Sequence, residues 1–199
     1  MTANDRAEPG RPTPVTLLQR RGIEAEVLIP LIRRLERELG VERAHAIARE
    51  EIASIARQQG ETVARALGQD GIEGFRHVRD SWGGAGGDLE ITTIREDGAH
   101  LDFNVTRCRF AEMYEQLGAR DLGFLLSCNR DFTLSEGYSE RLHLERTQTI
   151  MQGAPFCDFR YRVDAGGARG VDAVAAVDAV ADSREDTAPE TSNAAPEGA

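Results

Sequence analysis

The apolar residues in the first third of the chain recur with the spacing of an α-helix. They form two stripes: the first ends at Gly40, and the second, which is rich in alanine, runs from Ala44 to Leu67. Such stripes are typical of amphipathic helices that bury one face. Pro30 lies inside the first stripe, so this helix is predicted either to start near Pro30 or to bend there. The first stripe consists of Leu28, Leu31, Ile32, Leu35 and Leu39.

A short third helix is predicted over residues 71–80, and a glycine-rich link follows at 82–87. The pattern then changes from a helical period to an alternation of apolar and polar residues. The runs 88–97 and 99–107 alternate on either side of an Asp-Gly pair, which predicts a β-hairpin.

A second hairpin is predicted from the alternating runs 141–151 and 157–163, which flank a Gly-Ala-Pro turn. The intervening runs 108–118 and 120–132 are predicted to be helical, the second as a short helix that runs into a loop. The sum is an α+β fold, in which N-terminal helices pack on a small antiparallel sheet made of two hairpins, with helices inserted between the hairpins.

Both ends of the chain are predicted to be disordered. Residues 1–14 are polar and Pro-rich, and residues 165–199 are rich in Ala, Asp, Glu, Pro and Ser. A single α+β domain is therefore predicted over residues 15–164. No apolar run approaches the ~20 residues that span a bilayer, and the first residues lack the apolar region of a signal peptide. These features predict a soluble, cytoplasmic protein without a membrane partner.

The charge distribution narrows the choice of partner. The formal net charge is −10, from 34 acidic and 24 basic residues, and half of this excess lies within residues 166–199. No basic stripe is present, which argues against nucleic acid as a partner. Every basic residue is Arg and none is Lys, so Schiff-base chemistry on lysine is excluded. Arg is therefore the side chain that can bind a carboxylate with a permanent charge.

Three cysteines, an odd number, argue against a disulfide framework. Each lies at a predicted element boundary: Cys108 in the first turn of a helix, Cys128 at the end of the next helix and Cys157 at the start of the last strand. The helix terminus and the neighbouring Arg107 and Arg109 are expected to favour the thiolate of Cys108. The three sulfurs are expected to meet at one end of the sheet, unless each cysteine is a small buried apolar residue.

Two other side chains are candidates for a site around these cysteines. Asp131 follows Cys128 by three residues and is a candidate to orient a base or to bind an amino group. The alternative is that it is a loop or helix-cap aspartate without a role in a site. His143 lies on a predicted strand. Three cysteines with Asp131 or His143 would also suit a zinc ion chemically, but their spacing is not that of a common zinc motif.

Two stretches carry a resemblance to a known family: NVTRCRFAEMYEQLGARDLGFLLSCNRDFTLSEGY at 104–138 and LERTQTIMQGAPFCDFRYR at 144–162. On these stretches the chain resembles the L-2-amino-thiazoline-4-carboxylic acid hydrolase family, over roughly residues 15–163. The matching features are Cys108 at the start of a helix, Cys128 with Asp131 three residues later, the pair Arg146 and Thr147, and Gly153 four residues before Cys157.

The resemblance implies hydrolysis of L-2-amino-thiazoline-4-carboxylate to N-carbamoyl-L-cysteine, as a hydrolase acting on a cyclic amidine C–N bond. The substrate is then a small carboxylate, and the site is centred on cysteine. A thiolate suits the electrophilic carbon, a carboxylate suits the amidine nitrogens and an Arg suits the substrate carboxylate. In this hypothesis Cys108 is the nucleophile, Asp131 binds the amidinium and His143 moves protons. Arg146 binds the substrate carboxylate, with Thr147 and Arg107 beside it. Cys128 and Cys157 line the pocket.

Two alternatives remain open from the sequence. In one, Cys108, Cys128, Cys157 and Asp131 hold a zinc ion that activates water; otherwise no cofactor is expected. In the other, the chain is a non-enzymatic binding or sensing module similar to domains related to 4-vinyl reductases, with its cysteines structural or as zinc ligands. The alanine-rich helices also permit a homo-oligomer.

Overall fold

The computed structural model describes residues 15–83 and 87–164. The two terminal segments predicted to be disordered, 1–14 and 165–199, lie outside the described residues, as do residues 84–86 of the glycine-rich link. Within the described part, no helix is both long enough and apolar enough to cross a membrane.

Three helices form the N-terminal part: α1 over Leu17–Leu39, α2 over Val41–Leu67 and α3 over Ile72–Gly83. Helix α1 starts at a capping box, in which Thr16 and Gln19 exchange side-chain to backbone hydrogen bonds. Of the two alternatives predicted for Pro30, a helix start near it is wrong, because Pro30 lies in the interior of the helix.

The buried face of α1 differs from the predicted stripe. Arg21, Ala25 and Ile32 are buried, whereas Leu31 and Leu39 are about half exposed. An arginine, Arg21, therefore occupies one of the core-facing positions of this helix.

The hairpin predicted on either side of the Asp-Gly pair is present as β1, Leu89–Glu96, and β2, His100–Cys108. Its turn is closed by the carboxylate of Asp97, which accepts hydrogen bonds from the backbone N–H groups of Ala99 and His100 at 2.9 Å. The full sheet also contains β3, Leu142–Glu145, and β4, Cys157–Val163, and its strand order is β1-β2-β4-β3 with every neighbouring pair antiparallel. The predicted α+β class is confirmed.

The second hairpin is less regular than predicted. Strand β3 ends at Glu145, so the predicted extended run to residue 151 is wrong. Residues 146–149 leave the sheet, and a 3₁₀-helix follows at Ile150–Gln152 before Gly153 reverses the chain with a φ of 98°. The carboxylate of Asp158 stabilises this departure, because it accepts backbone hydrogen bonds from Thr147 and Gln148 at 3.0 and 2.8 Å.

The helical insertion between β2 and β3 is longer than predicted. It contains α4, Arg109–Gln116, a short α5, Arg120–Gly123, a π-helical turn at Phe124–Cys128, and α6, Arg130–Tyr138. The prediction of a loop after Cys128 is wrong, because Asn129 keeps helical dihedrals and its N–H bonds the carbonyl of Phe124 at 2.8 Å. A π-turn widens a helix by one residue and often marks a functional site.

Two hydrophobic clusters make up the core. One lies between α3 and the sheet and contains Phe75, Trp82, Phe103, Phe159 and Tyr161. The other lies among α1, α2 and the helical insertion. A few partly buried residues pack against both clusters, and these mark the seam between them: Leu17, Leu89, Cys108 and Ile150.

Helices α2 and α6 approach each other through two glycines. A Cβ atom added to Gly60 would overlap the backbone of α6 at the carbonyl of Leu134, and one added to Gly137 would overlap the carbonyl of Arg57 in α2. Hydrogen is therefore the only side chain that fits at either position, and this contact fixes α6 and the π-turn before it against the N-terminal helices.

We expect Gly60→Ala to lower the free energy of unfolding by about 2 kcal/mol or more, because the backbone of α6 cannot yield as a flexible side chain does. The control is Gly22→Ala in α1, where the new Cβ would lie 3.4 Å from the flexible Met113 side chain. Better helix propensity should make that variant equal to or up to ~1 kcal/mol more stable than the parent. Urea unfolding measures both, and equal stability of the two variants would contradict the close packing.

Candidate functional site

A cavity of about 90 Å³ lies at the seam between the two hydrophobic clusters; we call it the central pocket. Its walls include all three thiols of the chain, those of Cys108, Cys128 and Cys157. Its charged wall residues are Arg21, Arg130, Asp131 and Arg146. A larger and more open groove of about 560 Å³ between α2 and the 3₁₀-helix contains no cysteine, so the central pocket is the candidate site.

The sheet topology brings two of the thiols together. Strands β2 and β4 run antiparallel, and Val105 of β2 pairs with Cys157 at the start of β4. Cys108 ends β2 three residues further on. The end of one strand and the start of the other therefore lie at the same edge of the sheet, and the π-turn carries Cys128 to this edge from the helical side.

Arg146 is the buried cation of the pocket, with only 1% of its side chain exposed. Its Nη1 donates to the carboxylate of Asp131 at 2.5 Å, and its Nη2 donates to the carbonyl oxygen of Cys128 at 2.8 Å. The guanidinium also lies over three aromatic rings, 4.9 Å from the centroids of Phe132 and Phe159 and 5.8 Å from that of Phe124. Arg146 thus joins the end of β3 to the π-turn and to α6.

The thiol of Cys108 does not have the lowered pKa that the sequence suggested. Burial raises its pKa to about 11, although the backbone amides of Ala111 and Phe110 act in the opposite direction. The flanking arginines do not counter this effect, because Arg107 pairs with Glu112 and Arg109 pairs with Asp88. The free protein therefore holds Cys108 as a thiol at neutral pH.

The other two thiols are also kept protonated. Burial raises the pKa of Cys128 well above its usual value, and the charge of Asp131 adds to this shift. Burial likewise raises the pKa of Cys157, whose sulfur accepts a hydrogen bond from the backbone N–H of Ile150 at 3.2 Å. The three sulfurs are neutral groups of a largely apolar pocket unless a ligand changes their surroundings.

Asp131 lies at the polar side of the pocket with 23% of its side chain exposed. Burial raises its pKa above the ordinary value, and the charges of Arg146, Arg21 and Arg130 oppose this effect. A carboxylate so placed can accept hydrogen bonds from an amidine-like ligand. In residues 15–83 and 87–164, no group of three or more His, Cys, Asp and Glu side chains is arranged to hold a metal ion, so the zinc alternative gains no geometric support.

Three of the sequence candidates lie outside the central pocket. His143 is exposed on β3 and pairs with Asp164 at 3.0 Å, because strand alternation directs Leu142 to the core and His143 to solvent. The hydroxyl of Thr147 donates to Asp158 at 2.6 Å. Arg107 is exposed and paired with Glu112. We therefore assign none of the three a role at the pocket.

Arg21, Glu24 and Arg130 were missed by the sequence reasoning. Arg21 and Arg130 are buried, and both donate to the same oxygen of Glu24, at 2.7 and 3.0 Å. The available signal was the spacing of Leu17, Arg21 and Ala25, which places an arginine on the apolar face of α1. A charged residue on a core-facing stripe is uncommon unless it is paired or functional.

Comparison with known proteins gives one family match. The sequence profile of the L-2-amino-thiazoline-4-carboxylic acid hydrolase family matches residues 20–161. No curated protein matches the chain. Among solved structures, the phenol-responsive sensory domain of the transcription activator PoxR, crystallised with phenol, is similar over 74% of this chain and 76% of that chain, with 13% sequence identity and a TM-score of 0.47. At that level of similarity it carries no argument about function.

The raised pKa values lead to a prediction about thiol reactivity. Alkylation of Cys108 by iodoacetamide should keep rising with pH beyond pH 9, because a pKa of about 11 instead of 9.0 makes the thiolate about a hundredfold scarcer at pH 8. Site-resolved mass spectrometry of the folded chain measures this rate, and the urea-unfolded chain is the control. A rate that levels off below pH 8 in the folded chain would contradict the environment described.

Proposed function

Because this chain belongs to the L-2-amino-thiazoline-4-carboxylic acid hydrolase family, we propose that it hydrolyses a small cyclic isothiourea that carries a carboxylate. The observation that supports the proposal is the central pocket itself. Three thiols, a carboxylate and several guanidinium groups meet there, and all of them lie within the matched residues 20–161. L-2-Amino-thiazoline-4-carboxylate is the first substrate to test.

The bond that opens in this reaction is the ring C–S bond. The product, N-carbamoyl-L-cysteine, keeps both nitrogens on the former ring carbon, so neither amidine C–N bond is cleaved; the C–N assignment drawn from the resemblance is corrected on this ground. Water supplies the carbonyl oxygen to that carbon. Its two hydrogens balance the thiol of the product and the nitrogen that loses its amidine double bond.

We assign Cys108 as the nucleophile and Asp131 as the group that binds the amidinium. The thiolate of Cys108 adds to the ring carbon, the ring sulfur leaves as a thiol with the proton that Cys108 gave up, and an isothiourea remains on Cys108. Water then adds to the same carbon, Cys108 leaves as a thiol and the carbamoyl product is released. The amidinium of the substrate brings a positive charge beside the sulfur, which offsets the raised pKa of the free protein.

A second candidate function is a binding module without chemistry. The observation in its favour is that burial raises the pKa of all three thiols. A pocket of neutral sulfurs and aromatic rings can hold a small ligand as it stands, whereas a cysteine nucleophile needs its thiolate. Turnover separates the two functions.

We expect the full chain to convert L-2-amino-thiazoline-4-carboxylate to N-carbamoyl-L-cysteine, as followed by chromatography and by the release of a new thiol. Cys108→Ser should lower kcat about a thousandfold or more, because serine is not ionised there. Asp131→Asn should also lower kcat, whereas the matched control Asp121→Asn, at an exposed residue paired with Arg33, should not.

Two outcomes would count against the proposal. Full turnover by Cys108→Ser would remove Cys108 as the nucleophile and leave water activated by another group. Binding of the substrate by the parent chain without any product, under conditions where the thiols are intact, would support the binding module and contradict the hydrolase.

A further inference from the structure

A serine in the wall of the central pocket has no part in the proposed reaction. Ser127 belongs to the π-turn, is half-buried, and precedes Cys128 in the chain. The pocket measures about 90 Å³, which is room for about three water molecules. In so small a space, a polar wall residue lies close to whatever molecule occupies the pocket.

The hydroxyl of Ser127 is not used within the fold. A serine or threonine inside a helix commonly donates to a carbonyl about one turn earlier in the same helix. The residues of this chain that do so are Thr62, Ser81, Thr133 and Ser135. For the hydroxyl of Ser127, the part of the chain that the structure describes provides no hydrogen-bond partner.

The π-turn is the local structure that carries this hydroxyl. The N–H of Asn129 bonds the carbonyl of Phe124, five residues earlier, at 2.8 Å. Turns of this kind inside helices occur frequently at functional sites. Here the turn brings two neighbouring residues, Ser127 and Cys128, to the pocket wall.

The charged wall residues differ from Ser127, because all of them make ion pairs within the protein. These residues are Arg21, Arg130, Asp131 and Arg146. A hydroxyl has one hydrogen to donate and two lone pairs that accept, and a lone pair that accepts a hydrogen bond from water fixes the orientation of that water. Ser127 therefore suits the one reactant that the pocket must bind besides the substrate, which is water.

We propose that the hydroxyl of Ser127 positions the water that hydrolyses the isothiourea on Cys108. This inference rests on the proposed function, since that isothiourea is its intermediate, and it names the residue that serves the second step. The water donates a hydrogen bond to Oγ of Ser127 while its oxygen bonds to the former ring carbon.

The second step balances without a proton on Ser127. The bond that forms joins the water oxygen to the former ring carbon, and the bond that breaks joins this carbon to the sulfur of Cys108. One proton of the water ends on that sulfur, and the other ends on the nitrogen that loses its double bond. Ser127 is thus a positioning residue and not the base.

A group that acts only in the second step has a distinct effect on the kinetics. Slower hydrolysis of a covalent intermediate lowers kcat and KM together and leaves kcat/KM unchanged, because kcat/KM reports the steps up to formation of the intermediate. A structural disturbance of the pocket would slow the first step as well, and so would lower kcat/KM.

The test is Ser127→Ala with L-2-amino-thiazoline-4-carboxylate as the substrate. We expect kcat to fall about tenfold or more, with kcat/KM within about twofold of the parent value. Mass spectrometry of the acid-quenched, denatured chain should show Cys108 carrying the mass of one intact substrate, at a higher fraction in the variant than in the parent. Urea unfolding should show no loss of stability, because the hydroxyl leaves no partner unpaired.

Two further variants are the controls. Ser127→Thr keeps a hydroxyl at the same position and should keep more of kcat than Ser127→Ala. Ser54→Ala removes the hydroxyl of an exposed serine in α2, outside the pocket wall, and should behave as the parent in every measurement.

The outcomes separate this inference from the proposed function. Parent values of kcat and of the Cys108 adduct in Ser127→Ala overturn the inference and leave the hydrolase standing. A fall in kcat/KM as large as the fall in kcat also overturns it, because Ser127 then acts before the second step. Neither product nor adduct from the parent chain removes the hydrolase, and the inference with it.

Discussion

The contact between Arg146 and Asp131 determines how the pocket is assembled. Arg146 leaves the end of β3, is almost fully buried, and meets Asp131 on α6 and the carbonyl of Cys128 in the π-turn. Three aromatic rings surround its guanidinium, so water cannot replace these partners. A buried cation fixed by one carboxylate and one carbonyl holds the helical insertion against the sheet, and the three thiols line the pocket at that junction.

The chemistry of the pocket follows from the balance between burial and charge. Burial dominates at the sulfurs and keeps them protonated, while Arg21, Arg130, Arg146 and Asp131 line the same pocket. In the free protein the three thiols are therefore neutral, and the amidinium of the proposed substrate would bring a positive charge beside them. For the proposed hydrolase, this coupling gives a physical reason for a thiol with a raised pKa, because the thiolate is needed only when the amidinium is bound.

The periodicity of the sequence was sufficient for the long helices, for the first hairpin and for the α+β class, because these depend on local patterns. The periodicity was insufficient for the π-turn and α6, since Asn129 and Arg130 suit a loop as well as a helix. Here the helical conformation depends on the packing of α6 against Gly60 of α2. The pocket residues Cys108, Cys128, Asp131, Arg146 and Cys157 were all found from sequence. Two errors at the site have one cause: burial is a tertiary property. The arginines next to Cys108 in the sequence suggested a thiolate there. The predicted apolar stripe of α1 began only at Leu28, so the buried position of Arg21 was missed.

The most direct test of this account is a double-mutant cycle on Arg146 and Asp131, measured by urea unfolding. Each single alanine variant should lose about 3–5 kcal/mol of unfolding free energy, because the remaining partner is left buried and unpaired. The double variant should lose less than the sum of the two by at least about 1.5 kcal/mol. Losses that add within about 0.5 kcal/mol would show that the two side chains act independently, and would contradict the claim that their contact assembles the pocket.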